Sequence, residues 1–268
     1  ALNAVLNNFP ALAAMQPDFF YANPLLQNAD EKTATDREQS FIDIKMETGT
    51  GKTYVYTRAM YELHQKYGLY KFIIVVPSLA IKEGTKNFIQ SDYARQHFST
   101  FFPNKKIELQ TASAGDFTTK KGKRKNIPVA LMQFCEATKN EKNTIQCLLL
   151  SDKGFLDRAD SALFKDDYDQ TLFGGYACPI DAIKNTLPIL IIDEPHRLKR
   201  DGKSYANIME KISPQVIIRF GATFPDIKTG KGTSSVIKKD FYRGTPQFDL
   251  GAVEAFNQDL VKGVDVQF

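Results

Sequence analysis

From Phe41 onward, short runs of apolar and β-branched residues alternate with stretches of helical spacing. The runs are Phe41–Met46, Lys71–Pro77, Ile107–Thr111, Pro128–Gln133, Ile145–Leu150, Leu187–Asp193 and Gln215–Gly221. Several, notably Phe72-Ile-Ile-Val-Val76, are continuously apolar, the pattern of a strand buried on both faces. Between the first two, Thr53–Tyr67 places Val55, Ala59, Leu63 and Tyr67 at steps of four, one stripe of a helix. Gly68 stands where a left-handed cap would end that helix. Strands alternating with helices predict an α/β fold with a largely parallel sheet flanked by helices.

Around that pattern the chain divides into three parts. Residues 1–40 read as a lead-in with a short helix, outside the core, and 41–225 as one lobe. Within the lobe, 152–187 is long, polar and acid-bearing (Asp166, Asp167, Asp169), and reads as an insertion. Residues 226–268 read as a tail: Lys228–Lys239 as a flexible loop, then Phe241–Phe268 without a clear period, as a linker. Lys120-Lys-Gly-Lys-Arg-Lys125 holds five basic residues in six and reads as an exposed loop, with contact to nucleic-acid phosphates as the alternative. His64 and His97 read as surface or internally satisfied histidines.

Composition narrows the class. At 268 residues, 43% apolar and 25% charged, the chain can bury a sizeable core and is neither collagen-like nor disordered. No apolar run approaches the roughly 20 residues that span a bilayer. Three cysteines with no Cys-x-x-Cys pair fit neither a disulfide framework nor a zinc site, and predict a reducing, cytoplasmic setting. A net charge of +4 permits nucleic-acid binding through a local patch without demanding it. The Ala1-Leu-Asn start, without an initiator Met or a secretory signal, reads as cut from a longer chain.

The strongest chemical signal is Met46-Glu-Thr-Gly-Thr-Gly-Lys-Thr53, after one predicted strand and opening one predicted helix. Successive amides of such a turn point inward at a helix N-terminus and hold a polyphosphate. Thr48, Gly49, Thr50, Gly51, Lys52 and Thr53 are the candidate nucleotide-binding residues, with Lys52 on the β/γ-phosphates and the Thr53 hydroxyl on magnesium. Met46 stands where the usual pattern has glycine. The second signal, Leu190-Ile-Ile-Asp-Glu-Pro-His196, ends an apolar run with adjacent carboxylates. Asp193 can hold the magnesium water shell and Glu194 can orient or deprotonate the attacking water, two tasks that a metal-bridged triphosphate requires. A third, Arg219-Phe-Gly-Ala-Thr-Phe224, would set Thr223 beside His196.

Met46-Glu-Thr-Gly-Thr-Gly-Lys-Thr-Tyr-Val-Tyr56, Val75-Val-Pro-Ser-Leu-Ala-Ile-Lys-Glu-Gly84 and Ile191-Ile-Asp-Glu-Pro-His196 together resemble the restriction (Res) subunit of type III restriction–modification enzymes, within the superfamily-two helicases. The resemblance runs from about Phe41 to Phe224. It implies a RecA-like P-loop NTPase lobe that uses ATP and magnesium to move along double-stranded DNA, alongside a methyltransferase (Mod) subunit that reads the site. It further implies that Lys52, Asp193 and Glu194 serve hydrolysis, His196 and Thr223 couple hydrolysis to motion, and Pro77 and Ser78 touch the DNA backbone. No Gln-x-x-Gly-Arg-x-x-Arg string supplies arginine fingers, and Pro225-Asp226 reads as loop rather than nuclease core. The expectation is therefore a first motor lobe, with the second lobe and the nuclease elsewhere in the protein. Another superfamily-two motor, of a type I restriction enzyme or a phage helicase, and a non-catalytic nucleotide- or nucleic-acid-binding module remain the alternatives.

Overall fold

The computed structural model of the protein describes residues 1–9, 41–117, 126–137, 143–153, 155–168, 175–199, 202–229 and 236–260. Most of the lead-in and the basic run Lys120–Lys125 lie outside the described residues. The strands are β1 (Phe41–Met46), β2 (Lys71–Val76), β3 (Lys106–Thr111), β4 (Thr144–Ser151), β5 (Ile189–Asp193), β6 (Val216–Gly221), β7 (Asp226–Thr229), β8 (Val236–Lys239) and β9 (Phe248–Leu250). Seven form one sheet in the order β3-β4-β2-β5-β6-β1-β9. Every ladder in it is parallel.

Parallel strands need crossovers, and these supply the flanking layers. On one face lie α1 (Leu2–Asn8), α2 (Lys52–Tyr67), α3 (Leu79–Gln90) and α4 (Asp92–Phe101), packed on Ile42, Ile44, Phe72, Ile74, Ile145 and Leu149. On the other lie α5 (Val129–Glu136), α6 (Pro179–Asn185) and α7 (Lys203–Asn207), which runs on into a π-helical stretch at Ile208–Ile212. Ile73, Val75, Leu148, Leu150, Leu190 and Ile192 point to that side, the two-residue alternation of a strand covered on both faces. Strand β6 separates β1 from β5, so the strand leading into the glycine loop and the strand ending in Asp193 are once removed, as in a RecA-like lobe. Helix α2 ends as expected, with Gly68 at φ +71° and its N–H donating to His64 O.

Several expectations are corrected. Pro128–Gln133 is not a strand: Val129–Glu136 is helical. Leu131 and Phe134, three apart, share its buried side while Val129 is exposed, and a run this short does not separate the two periods. The short helix of the lead-in does enter the core, with Val5 and Phe9 both buried. The stretch read as an insertion supplies Phe155, Leu156, Leu163, Ile180 and Ile183 to the second face. Lys228–Lys239 includes strand residues at both ends, with β7 and β8 paired antiparallel, and Asp226 begins β7. Beyond it, β9 extends the main sheet on β1, followed by α8 (Ala252–Asn257).

A buried charge cluster fastens that last segment to the sheet. Asp43 and Arg219 face each other in register on β1 and β6. Arg219 grips the Asp43 carboxylate at 2.6 and 2.9 Å and donates to Asp240 O at 2.7 Å. The Tyr242 N–H donates to Asp43 Oδ2 at 2.8 Å, and the Arg219 guanidinium lies 4.3 Å from the Tyr242 ring centroid. Gln247 closes the attachment: its N–H donates to Asp43 O, and its Oε1 accepts from Asp43 N–H.

Candidate nucleotide site

The site lies at the carboxyl ends of the parallel strands, where β1 passes into α2 and β5 ends beside β6. Glu47 to Gly51 make the β1–α2 turn, which needs left-handed backbone at two places, φ +84° at Gly49 and +89° at Gly51. Only glycine takes that conformation without strain. Thr50 braces the turn, its hydroxyl donating to Glu47 O at 2.6 Å. Gly51 is the N-cap of α2, and no side chain caps the helix. The first helical amides therefore face the loop with no intrahelical acceptor, at the positive end of a 16-residue dipole. Thr48, Gly49 and Gly51 are exposed there, with Thr50 and Thr53 half-buried.

Lys52 reaches back from the first turn of α2, only 9% exposed. Its Nζ stands 3.0 Å from Glu194 Oε1 and 3.4 Å from Met46 O. The carbonyl of Met46, at the position where the usual loop has glycine, thus helps park the lysine. Asp193 closes β5, and Glu194 continues the ladder by donating its N–H to Phe220 O at 2.8 Å. Glu194 is held at φ +57°, ψ +63°, a conformation that costs a non-glycine residue about 1–3 kcal/mol.

That turn sends the two carboxylates into different surroundings. Asp193 is buried, and its Oδ1 has no hydrogen-bond partner. Burial, and secondarily the Glu194 carboxylate, push the Asp193 carboxyl up to about 6, while Lys52 pulls it back. Glu194 lies between Lys52 and His196, whose Nδ1 is 3.3 Å from Glu194 Oε2. Arg197 Nε donates to His196 Nε2 at 3.1 Å, which leaves the neutral imidazole's proton on Nδ1, the nitrogen that faces the acid.

The remaining candidates border this centre. A Cβ on Gly221 would lie 2.5 Å from Pro195 Cδ, so glycine lets the end of β6 pack directly on the Asp-Glu-Pro-His segment. Thr223, two residues on, is exposed. Pro77 is buried at the end of β2, and Ser78 is the N-cap of α3, its Oγ accepting from Ile81 N–H at 3.3 Å. His64 and His97 are satisfied elsewhere: His64 Nδ1 is 3.0 Å from Leu69 O, and His97 Nε2 is 3.0 Å from the Tyr54 hydroxyl. Two contributors were not legible as such in the sequence, Gly221 and Tyr56. The latter is fully buried, its hydroxyl 3.0 Å from Thr85 Oγ1 on α3.

Chemically, the turn offers inward amides and an ammonium group for a polyphosphate. A buried, unpartnered carboxylate oxygen and a threonine hydroxyl suit a hard cation. Among the described residues no group of three His, Cys, Asp or Glu side chains could hold a metal alone. Such a site fits magnesium, which takes one or two protein oxygens and completes its shell with phosphate and water.

A family model described as "Type III restriction enzyme, res subunit" matches residues 20–226. The Res subunit of the type III restriction-modification enzyme StyLTI of Salmonella typhimurium (strain LT2) is 54% identical over 269 residues, covering 100% of this chain and 26% of that protein. The EcoP15I Res subunit of Escherichia coli is 38% identical, covering 88% of this chain and 22% of that protein. The EcoPI Res subunit of Escherichia phage P1 is 37% identical, with 87% and 22% covered. The chain thus spans about a quarter of the length of the curated relatives it matches. Among solved structures, the ATP-dependent Type ISP restriction-modification enzyme LlaBIII bound to DNA is similar at a TM-score of 0.47 and 14% identity, covering 90% of this chain and 15% of that one.

Proposed function

Because the chain belongs to the type III restriction enzyme Res-subunit family, we propose that it is the ATP-binding and ATP-hydrolysing first lobe of a motor that moves along double-stranded DNA. The observation that carries the proposal is the 3.0 Å contact between Lys52 and Glu194, 142 positions apart in sequence, at one strand-edge site beside a buried, unpartnered Asp193 oxygen. A polyphosphate on the amides of Gly49–Thr53 draws Lys52 off Glu194 and onto the β/γ-phosphates. Glu194 is then free to orient and deprotonate the attacking water, with His196 fixing its second oxygen. Asp193 and the Thr53 hydroxyl would hold magnesium, which neutralises charge on the phosphate oxygens.

The rest of the machine is proposed from the family. A second lobe would supply an arginine to the transferring phosphoryl group, a Mod subunit would read the DNA site, and a separate domain would cut. His196 and Thr223, flanking the Pro195–Gly221 contact, would couple nucleotide state to motion, and Pro77 and Ser78 would meet the DNA backbone. A cytoplasmic setting accords with a DNA motor and with three free cysteines. Among the described residues no helix is long and apolar enough to cross a membrane.

The test is Glu194→Gln in the full-length protein. Removing a general base costs about 10²- to 10⁴-fold in turnover, so hydrolysis should collapse while ATP still binds. Unchanged turnover would reduce the site to a nucleotide sensor.

A further inference from the structure

After the Gly-Ala-Thr segment the chain leaves the main sheet as the hairpin of β7 and β8, whose side chains mostly face solvent. Asp226, Lys228 and all four residues of β8 are exposed, Val236 and Ile237 at 52% and 63%. A two-stranded ribbon without a buried face is marginal by itself in water. This one is held at its base. Phe224 and Pro225 are buried, the Asp240 N–H donates to Pro225 O at 2.8 Å, and the Phe224 and Phe241 ring centroids lie 4.7 Å apart. Arg219, locked to Asp43, donates to Asp240 O at 2.7 Å. The hairpin is therefore anchored to the lobe where it begins and where it ends, with its strands left in water between.

Its charge is one-sided. Lys228, Lys238 and Lys239 stand against a single acid, Asp226, which pairs with Lys239 at 2.8 Å. Lys228 and Lys238 have no ion-pair partner among the described residues. The register sets Lys228 opposite Ile237 and Lys238 opposite Ile227 on successive rungs, so the two lysines leave opposite faces of the ribbon. Protein interfaces are enriched in aromatic residues, methionine and arginine and poor in lysine. The two strands hold none of the former. Lysines on both faces instead fit a groove with a phosphate wall on each side. The major groove of B-form DNA, about 12 Å wide, admits a two-stranded ribbon. Seated there, Lys228 and Lys238 reach opposite walls, and Val236 and Ile237 are desolvated against sugars and base edges.

We propose that the β7–β8 hairpin is a DNA-contacting ribbon that enters a groove of the duplex, with Lys228 and Lys238 on the phosphates. The proposal rests on the reading of the protein as a motor on double-stranded DNA, and adds to it a contact far in sequence from Pro77 and Ser78.

The test is the salt dependence of duplex binding by the full-length protein, read as the fluorescence anisotropy of a labelled duplex of arbitrary sequence. Each phosphate contact contributes about 0.9 to the slope of log affinity against log salt. Lys228→Gln combined with Lys238→Gln should therefore lower the slope by about 1.8 and weaken binding most at low salt. Lys228→Arg combined with Lys238→Arg, which keeps both charges, should return the wild-type slope. Lys66→Gln combined with Lys106→Gln removes the same charge near the amino ends of the strands and should leave the slope as it is. An unchanged slope for the Lys228→Gln, Lys238→Gln variant, or an equal drop for the Lys66→Gln, Lys106→Gln control, would overturn the proposal. So would normal duplex binding with loss of the Mod subunit from the complex, which would make the hairpin a protein contact. If the wild type binds an ATP analogue but no duplex, the DNA-motor reading itself falls. If it binds duplex and only the slope of the Lys228→Gln, Lys238→Gln variant fails to drop, the hairpin alone does.

Discussion

Replacing Arg219 with Met would take the guanidinium away from two buried carboxylates, Asp43 and Asp240. Asp43 and Asp240 are both fully buried, and Arg219 is 1% exposed. Arg219 makes both short bonds to Asp43 and lies 3.6 Å from Asp240 Oδ2. Taking one partner from a buried pair of this kind costs about 3–5 kcal/mol, because the abandoned charge stays desolvated. At about 2–4 °C per kcal/mol for a large domain, the melting temperature should drop by roughly 6–20 °C. The diagnostic comparison is Asp43→Asn with Arg219→Met. That double variant removes one stranded charge and keeps an oxygen for the Tyr242 N–H, so it should melt above the single Arg219→Met. Thermal unfolding followed by circular dichroism at neutral pH reads both. A loss below 1 kcal/mol for Arg219→Met, or a double variant that melts below the single one, would refute the claim that this cluster fastens residues 240–250 to the sheet.

Other predictions concern the site. The Asp193 carboxyl is raised from 3.8 to about 6, so the folded state prefers it neutral. Its contribution to stability is full below about pH 4 and is lost as pH rises through 6, a change of about 3 kcal/mol at 1.36 kcal/mol per unit. Asp193→Asn should therefore flatten the stability profile of the nucleotide-free protein between pH 4 and 7, and parallel profiles would contradict the assignment. Residues 1–268 alone should turn over ATP slowly, since an arginine finger supplied from outside is worth about 10³- to 10⁵-fold. Brisk, DNA-stimulated hydrolysis by this segment would mean that no other lobe is needed.

Much of the fold was legible because it is written in short-range pattern. Strands β2, β4, β5 and β6 are buried along their whole length, and burial on both faces leaves runs that are mostly apolar, broken by single polar residues such as Gln146 and Arg219. The glycine loop was legible because its chemistry is packed into consecutive residues. What was missed depends on register or on tertiary context. Asp43 and Arg219 are isolated charges in apolar strands until β1 and β6 pair. Strand β9 is three residues long and owes its place to the partner strand and to Gln247. Pro128–Gln133 fits either period, and the face it covers decides for helix. Gly221 looks like an ordinary turn glycine until Pro195 is laid against it, and Tyr56 like one more apolar position on α2 until Thr85 arrives on α3.

The most direct measurement is a crystal structure of the protein with a non-hydrolysable ATP analogue and manganese, the ion located by its anomalous signal. The account predicts the β- and γ-phosphates on the amides of Gly49–Thr53 with Lys52 moved off Glu194, and the ion within direct or water-bridged reach of Thr53 and Asp193. A nucleotide bound elsewhere, or an ion remote from Asp193, would contradict it.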